Sequence, residues 1–144
     1  MTVPGRYQEA STIRRVLRTA KTIAIVGLSG DRSRPSHAIG GYLQRQGYRV
    51  IPVNPRETEV LGETACPSLR DVPVPVDVVN VFRAPDAVPD IARDAVAIGA
   101  AAMWCQLGVV SEEGARIAEE GGLTVVVDRC IMVEHAGLGV EVGS

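Results

Sequence analysis

The apolar positions of this chain alternate between short unbroken β-branched runs and longer stretches with helical spacing. Ile13, Val16 and Leu17 recur at i, i+3 and i+4, which predicts an amphipathic helix over about residues 8–20. Residues 22–26 (Thr-Ile-Ala-Ile-Val) form the kind of run that a strand buried on both faces requires, ending at Gly27. Ile39, Tyr42 and Leu43 mark one face of a helix over about 37–46, with Ser36 as its expected N-cap and Gly47 as its stop. A second strand is predicted over 48–53. Residues 54–75, rich in Pro, Gly and Glu, read as a loop with an extended piece at 60–62 and a turn of helix near Ser68. A third strand covers 77–82. Pro85 then opens a helix near 86–98, with Val88, Ile91, Ala95 and Ile98 inward. A fourth strand lies at 101–105, and Ser111 caps a helix through Glu120 whose first turn carries Glu112 and Glu113, as the helix dipole favours. A fifth strand covers 124–127. The order βαβαβαβαβ predicts an α/β fold, a doubly wound parallel sheet of about five strands with helices on both faces. One domain is expected over 1–144, with its core at 10–136 and a tail at 137–144.

Composition narrows the function classes. At 144 residues, with 46% hydrophobic and 22% charged residues, the chain has enough apolar surface for one self-sufficient core. A net charge of −2 gives no electrostatic case for nucleic acid or an anionic membrane. Aromatic residues at 3% provide no stacking platform for single strands. No apolar run approaches the ~20 residues of a membrane span, and Met1–Arg6 lacks the pattern of a signal peptide. Cys66, Cys105 and Cys130 are odd in number, far apart and without zinc-ligand spacing. A cytoplasmic protein without a metal is expected.

In a doubly wound sheet, ligands bind outside the carboxyl ends of the strands where strand order reverses. The segments to inspect are therefore Gly27–Ser36, Asn54–Arg56, Arg83–Ala84, Gln106–Gly108 and Asp128–Arg129. Arginine recurs in them, at Arg32, Arg34, Arg56 and Arg83, and its planar fork suits phosphate. A strand that ends in Gly27 and turns toward a helix offers backbone N–H groups to an anion. The loop departs from the dinucleotide fingerprint, since Ser29 stands for the second glycine and Arg32 for the third. It is also longer, which leaves Arg32 and Arg34 room to turn toward phosphate; a solvated surface loop is the alternative. NAD-binding folds place an acid after the second strand, whereas this chain has Asn54-Pro55-Arg56, which favours a ribose carrying its own phosphate. Asn54 and Pro55 are also good turn formers in their own right. Phe82 and Pro85 can wall an adenine or a pantetheine arm, and Gln106 can bond ligand amides.

These segments resemble a known family. Gly27-Leu28-Ser29, then Arg32 through His37, Gly47 through Pro55, Asp77 through Arg83, Trp104 through Gly108 and Asp128 through His135 follow in its order. The chain resembles, over about residues 10–136, the stand-alone CoA-binding domain proteins, which are similar in turn to the N-terminal domain of the succinyl-CoA synthetase α subunit. The resemblance implies a Rossmann-like domain that holds coenzyme A or an acyl-CoA. Its pyrophosphate would lie on the first loop (Gly27, Leu28, Ser29, Arg32, Ser33, Arg34, Pro35 and Ser36) and its adenosine near Val53, Asn54, Pro55 and Arg56. Phe82, Arg83, Pro85 and Gln106 are the further candidate contacts read from the residues themselves. The resemblance implies no reaction, because the synthetase keeps its phosphorylated histidine and nucleotide-activating machinery in other domains. A homo-oligomer or a separately encoded ligase subunit is the implied partner. An NADP-dependent oxidoreductase or a nucleotide sensor is the alternative, although Lys21 is the only lysine and no Tyr–Lys pair offers proton transfer.

The remaining reactive residues read as structural. Trp104 at a strand end suits the core, and a buried Cys105 beside it is expected to be inert. Asp128, Arg129 and Cys130, with Glu134 and His135, contain the ingredients of a nucleophile and its base. The five-residue spacing of Cys130 and His135 aligns poorly on a helix or a strand, however, and His37 cannot be placed relative to Cys130. Asp128 and Arg129 are expected to pair or bond backbone at the strand end, with the tail closing the edge of the sheet.

Overall fold

The computed structural model describes residues 3–138, so residues 139–144 of the expected tail lie outside the described part. A helical turn, α1 (Val3–Arg6), precedes α2 (Ala10–Thr19), which buries Ile13, Val16 and Leu17 as their spacing requires. Five parallel strands form the sheet: β1 (Thr22–Val26), β2 (Arg49–Val53), β5 (Val78–Val81), β6 (Ala102–Cys105) and β7 (Thr124–Val126), in the order β2-β1-β5-β6-β7. The intervening β3 (Glu59–Val60) and β4 (Glu63–Thr64) form a separate antiparallel hairpin. The other helices are α3 (Pro35–Arg45), α4 (Val88–Ala97), α5 (Glu112–Glu120) and α6 (Ile131–Leu138). This is the doubly wound, Rossmann-like α/β arrangement.

Side chains alternate between two apolar layers. Ala24, Val26, Val79, Val81, Met103 and Val125 face α4 and α5, where Val88, Ala92, Ala95, Ala115 and Ala118 are buried. Ile23, Ile25, Val50, Val78, Trp104 and Val126 face the other way, against Ile13 and Leu17 of α2, Ile39 and Leu43 of α3, and Ile131 of α6. Each fully buried side chain such as Ile25 or Leu43 contributes roughly 1.5–3 kcal/mol. Trp104 is 0% exposed and its indole Nε1–H donates to the Arg129 carbonyl at 2.8 Å, so it belongs to the core. Ser111 caps α5 as expected, its hydroxyl accepting from Gly114 N–H at 3.0 Å.

The crossover from β2 to β5 contains no α-helix, as the loop reading of residues 54–75 expects; the β3–β4 hairpin and a 3-10 turn at Leu69–Asp71, next to Ser68, fill it, with Leu69 and Val76 buried. Of the piece read as extended at 60–62, Val60 ends β3, whereas Leu61 and Gly62 make the hairpin's turn, both at positive φ (55° and 77°). Ser36 is not an N-cap, because Pro35 already occupies the first turn of α3 and Arg34 precedes it in extended conformation. Residues 131–138 form α6, on the same face as α2 and α3, and the tail expected to close the sheet's edge lies, from residue 139 on, outside the described residues.

Both outer strands meet other backbone at their carboxyl ends. Cys66 continues beside β2, its N–H donating to the Pro52 carbonyl and its carbonyl accepting from Asn54 N–H, each at 2.9 Å. Past β7, Val127 N–H donates to the Tyr7 carbonyl at 3.1 Å and Gln8 Nε2 donates to the Val127 carbonyl at 3.0 Å. No helix among the described residues is long and apolar enough to cross a membrane.

Candidate functional site

The chain leaves β1 for β2 on one side and returns to β5 on the other, so strand order reverses between β1 and β5. There, the loops after β1, β2 and β5 enclose a cleft of about 630 Å³, a volume usual for a small-molecule site. Gly27 makes its floor. It leaves β1 at φ +93°, and a Cβ at that position would stand 2.5 Å from the Phe82 carbonyl oxygen. Both the left-handed backbone and the close approach of the neighbouring strand end require glycine.

Beyond Gly27 the first loop folds on itself. Ser29 N–H donates to Ser36 Oγ at 3.1 Å, and Asp31 N–H donates to Ser29 Oγ at 3.0 Å. The hydroxyl and amide of Ser33 both donate to Asp31 Oδ1, at 2.7 and 2.9 Å, and hold the Asp31 carboxyl below its usual range. Arg34 N–H donates to the Asp31 carbonyl at 3.0 Å, and His37 Nδ1–H to the Ser29 carbonyl at 2.9 Å. Gly30 N–H donates to Glu57 Oε2 at 2.6 Å. The N–H groups of Ser29, Gly30, Asp31, Ser33 and Arg34 thus have partners within the protein. Positive charge in the cleft comes from the Arg34, Arg56 and Arg83 side chains.

Asn54 organises the second loop. Its Nδ2 donates to the Leu28 carbonyl at 3.1 Å, and its Oδ1 accepts from Arg56 N–H at 2.9 Å. Its own carbonyl accepts from Glu57 N–H at 3.2 Å, closing a turn around Pro55. The turn sets Arg56 at the cleft and brings Glu57 back toward the first loop. From the end of β5, Phe82 lines the cleft half-buried and Arg83 lines it exposed. Pro55 and Arg83 also border an adjoining hollow of about 190 Å³, whose wall includes Val53, Leu69 and Ile91.

The cleft therefore gathers Gly27, Ser29, Arg34, Pro35, Ser36, Asn54, Pro55, Arg56, Phe82 and Arg83 from the residues singled out by sequence. It does not gather the others. The Leu28 side chain is 0% exposed, Val53 lies in the adjoining hollow, and Arg32, Ser33 and Pro85 are exposed outside the lining. Gln106 is buried, and its Oε1 accepts from Ile131 N–H at 3.2 Å, so it steadies the first turn of α6. Glu57 also lines the cleft; it lies one turn past the strand end where dinucleotide folds place their acid, so the strand-end pattern does not point to it.

The reactive side chains lie elsewhere. Burial pushes the Cys105 thiol up to about 12, and burial followed by the Asp71 charge raises Cys66. Cys130 is buried at the start of α6. The His135 ring is buried edge-on between Tyr42 and Tyr48, with its Nδ1 2.8 Å from the Tyr42 hydroxyl in a shared hydrogen bond. Asp128 bonds backbone as expected, its Oδ1 accepting from Gly108 N–H at 2.7 Å. Among the described residues no cluster of His, Cys, Asp and Glu could hold a metal ion.

Comparison with known proteins places this geometry. The family model described as a CoA binding domain matches residues 21–136. The protein YneT of Bacillus subtilis (strain 168) is 42% identical over 124 residues, covering 86% of this chain and 92% of that one. A solved structure of a hypothetical protein from Pyrococcus horikoshii OT3 has a TM-score of 0.90 at 36% identity, covering 96% of this chain and 97% of that one. The α subunit of the ADP-forming acetate–CoA ligase II of Pyrococcus furiosus is 30% identical over 129 residues, 81% of this chain but 28% of the subunit.

Proposed function

Since this chain belongs to the CoA-binding domain family, we propose that it binds coenzyme A or an acyl-CoA in the cleft at the carboxyl ends of β1, β2 and β5. One observation carries the reading: Arg34, Arg56 and Arg83, from three separate loops, line the same cleft. A ligand with a pyrophosphate and a ribose phosphate matches three guanidinium groups in number and in kind. Arg56 is assigned to the ribose phosphate, since the Asn54 turn holds it where dinucleotide folds read the ribose. Arg34 and the first loop take the pyrophosphate. Phe82 and Pro55 supply apolar wall for the base.

Binding and presentation of the coenzyme is the proposed role, with no chemical step assigned to this chain. The similarity to part of a ligase α subunit supports a second polypeptide as the partner that acts on the bound thioester. An NADP-binding protein is the competing reading, because NADP also carries a pyrophosphate and a ribose phosphate. A side-by-side thermal-shift titration with coenzyme A, an acyl-CoA, NAD and NADP separates them. Coenzyme A is expected to give the largest shift, with stability rising by ~2.7 kcal/mol at a hundredfold excess over Kd. An equal or larger shift with NAD or NADP would remove the coenzyme A assignment.

A further inference from the structure

We propose that Glu57 is a built-in competitor for the anion in this cleft: its carboxylate occupies the Gly30 amide and must leave before a pyrophosphate seats on the first loop. The inference rests on the proposed function for the identity of the natural anion, but not for the competition itself.

The contact has the character of a charge-assisted bond, with Gly30 N–H donating to Glu57 Oε2 at 2.6 Å. The carboxylate lies against the α-carbon as well. A Cβ at Gly30 would stand 3.0 Å from each of its two oxygens, so glycine leaves the space that the carboxylate fills. The second loop aims Glu57 there, through the Asn54–Glu57 turn and the Asn54 bond to the first loop. Arg34, Arg56 and Arg83 line the same cleft. Among the described residues none of the three comes within ion-pair distance of Glu57, and Arg34 instead lies 4.0 Å from Asp31. Glu57, the one acid among the described residues that line the cleft, is thus seated on the Gly30 N–H.

One N–H cannot serve two anions at full strength, and two anions a few ångströms apart repel. An entering pyrophosphate therefore displaces the carboxylate, and contacts to the arginines offset the loss. A ligand with a single weak anionic group gains too little from them. Glu57 in this way selects for ligands of high phosphate charge.

The test is isothermal titration of wild type, Glu57→Gln and Glu57→Ala with coenzyme A and, separately, with inorganic pyrophosphate. Both variants are expected to bind both ligands about two- to tenfold more tightly, the difference between a charge-assisted and a neutral or absent competitor. In wild-type protein, the Gly30 amide and Glu57 carboxyl resonances are expected to move together as coenzyme A is added, a readout that needs no variant. Unchanged affinity in the variants, or resonances that stay in place, would show a bystander and overturn the proposal. Weaker coenzyme A binding by Glu57→Gln would make Glu57 a ligand contact and overturn it equally. If the variants bind pyrophosphate more tightly while no form binds coenzyme A, the competition stands and the coenzyme reading falls.

Discussion

The side-chain amide of Asn54 donates to the carbonyl of Leu28 across 3.1 Å, and this bond makes the loop after β1 and the turn after β2 one unit. The same side chain accepts from Arg56 N–H, so one residue fixes the floor of the cleft and the start of its second wall. Asn54→Ala is expected to lower stability by about 1–2 kcal/mol, two hydrogen bonds at their usual net worth. Coenzyme A affinity should fall as well, although Asn54 offers the ligand little directly. Urea unfolding checks the first expectation, through a lower midpoint with an unchanged slope. A midpoint equal to wild type would mean that the two loops hold their places independently.

Gly27 and Gly108 both have positive φ, +93° and +80°, but only Gly27 has a neighbour in the way of a side chain. Gly27→Ala is expected to cost about 2–4 kcal/mol, adding a clash with the Phe82 carbonyl to the backbone strain. Gly108→Ala, with nothing within 4 Å of its Cβ, should cost roughly 1 kcal/mol. Thermal melts of the pair measure the difference, and equal losses would contradict the close approach of β5 to the first turn.

Arg56 lines the cleft and is exposed. Arg56→Ala is expected to weaken coenzyme A by about tenfold or more, the worth of one charge-assisted contact. Dephospho-coenzyme A, which lacks the ribose phosphate, should be nearly unaffected. Equal losses for both ligands would move Arg56 to the pyrophosphate.

Tyr48 reports on the opposite end of the molecule. Its hydroxyl donates to the Leu17 carbonyl at 2.6 Å, and burial, with the Tyr42 phenol nearby, pushes its pKa up from 10.0 to about 12. The folded state thus holds this proton more tightly than the unfolded chain does. The resulting stability is complete below pH 10.0 and is lost as pH rises toward about 12. Denaturant midpoints should therefore fall through that window, and Tyr48→Phe should flatten the fall while costing about 1 kcal/mol at neutral pH. A fall as steep in Tyr48→Phe as in wild type would assign the alkaline loss to the other groups that burial raises, Cys105, Cys66 and Tyr7.

The residues that announced the fold were those whose local chemistry and tertiary role agree. Ile23, Ala24, Ile25 and Val26 are apolar because both faces of β1 are covered, and Ser111 has a helix to cap immediately after it. Legibility failed where tertiary contacts overrule local preference. Leu61 at φ 55° is no usual hairpin residue, so the β3–β4 turn carried no signal. Residues 131–133 are uniformly apolar, which hides the periodicity of α6. In the cleft, the arginines were visible because charge type alone pointed to phosphate. Glu57 was not, since its meaning depends on a turn that returns it to Gly30. Gln106 looked like a ligand contact because of its place after β6, but its partner is the backbone of α6, brought there only by the closed fold.

The backbone that flanks β2 and β7 has a consequence for the colloidal behaviour of the protein. An open sheet ends in two rows of unused peptide groups, the template on which chains stack into aggregates. Here the Cys66 segment pairs with the outer side of β2, where Pro52 offers a carbonyl but no N–H, and residues 7 and 8 pair with the chain just past β7. Strand addition at either margin would therefore have to displace backbone already bonded there, Cys66 beside Pro52 and Tyr7 beside Val127.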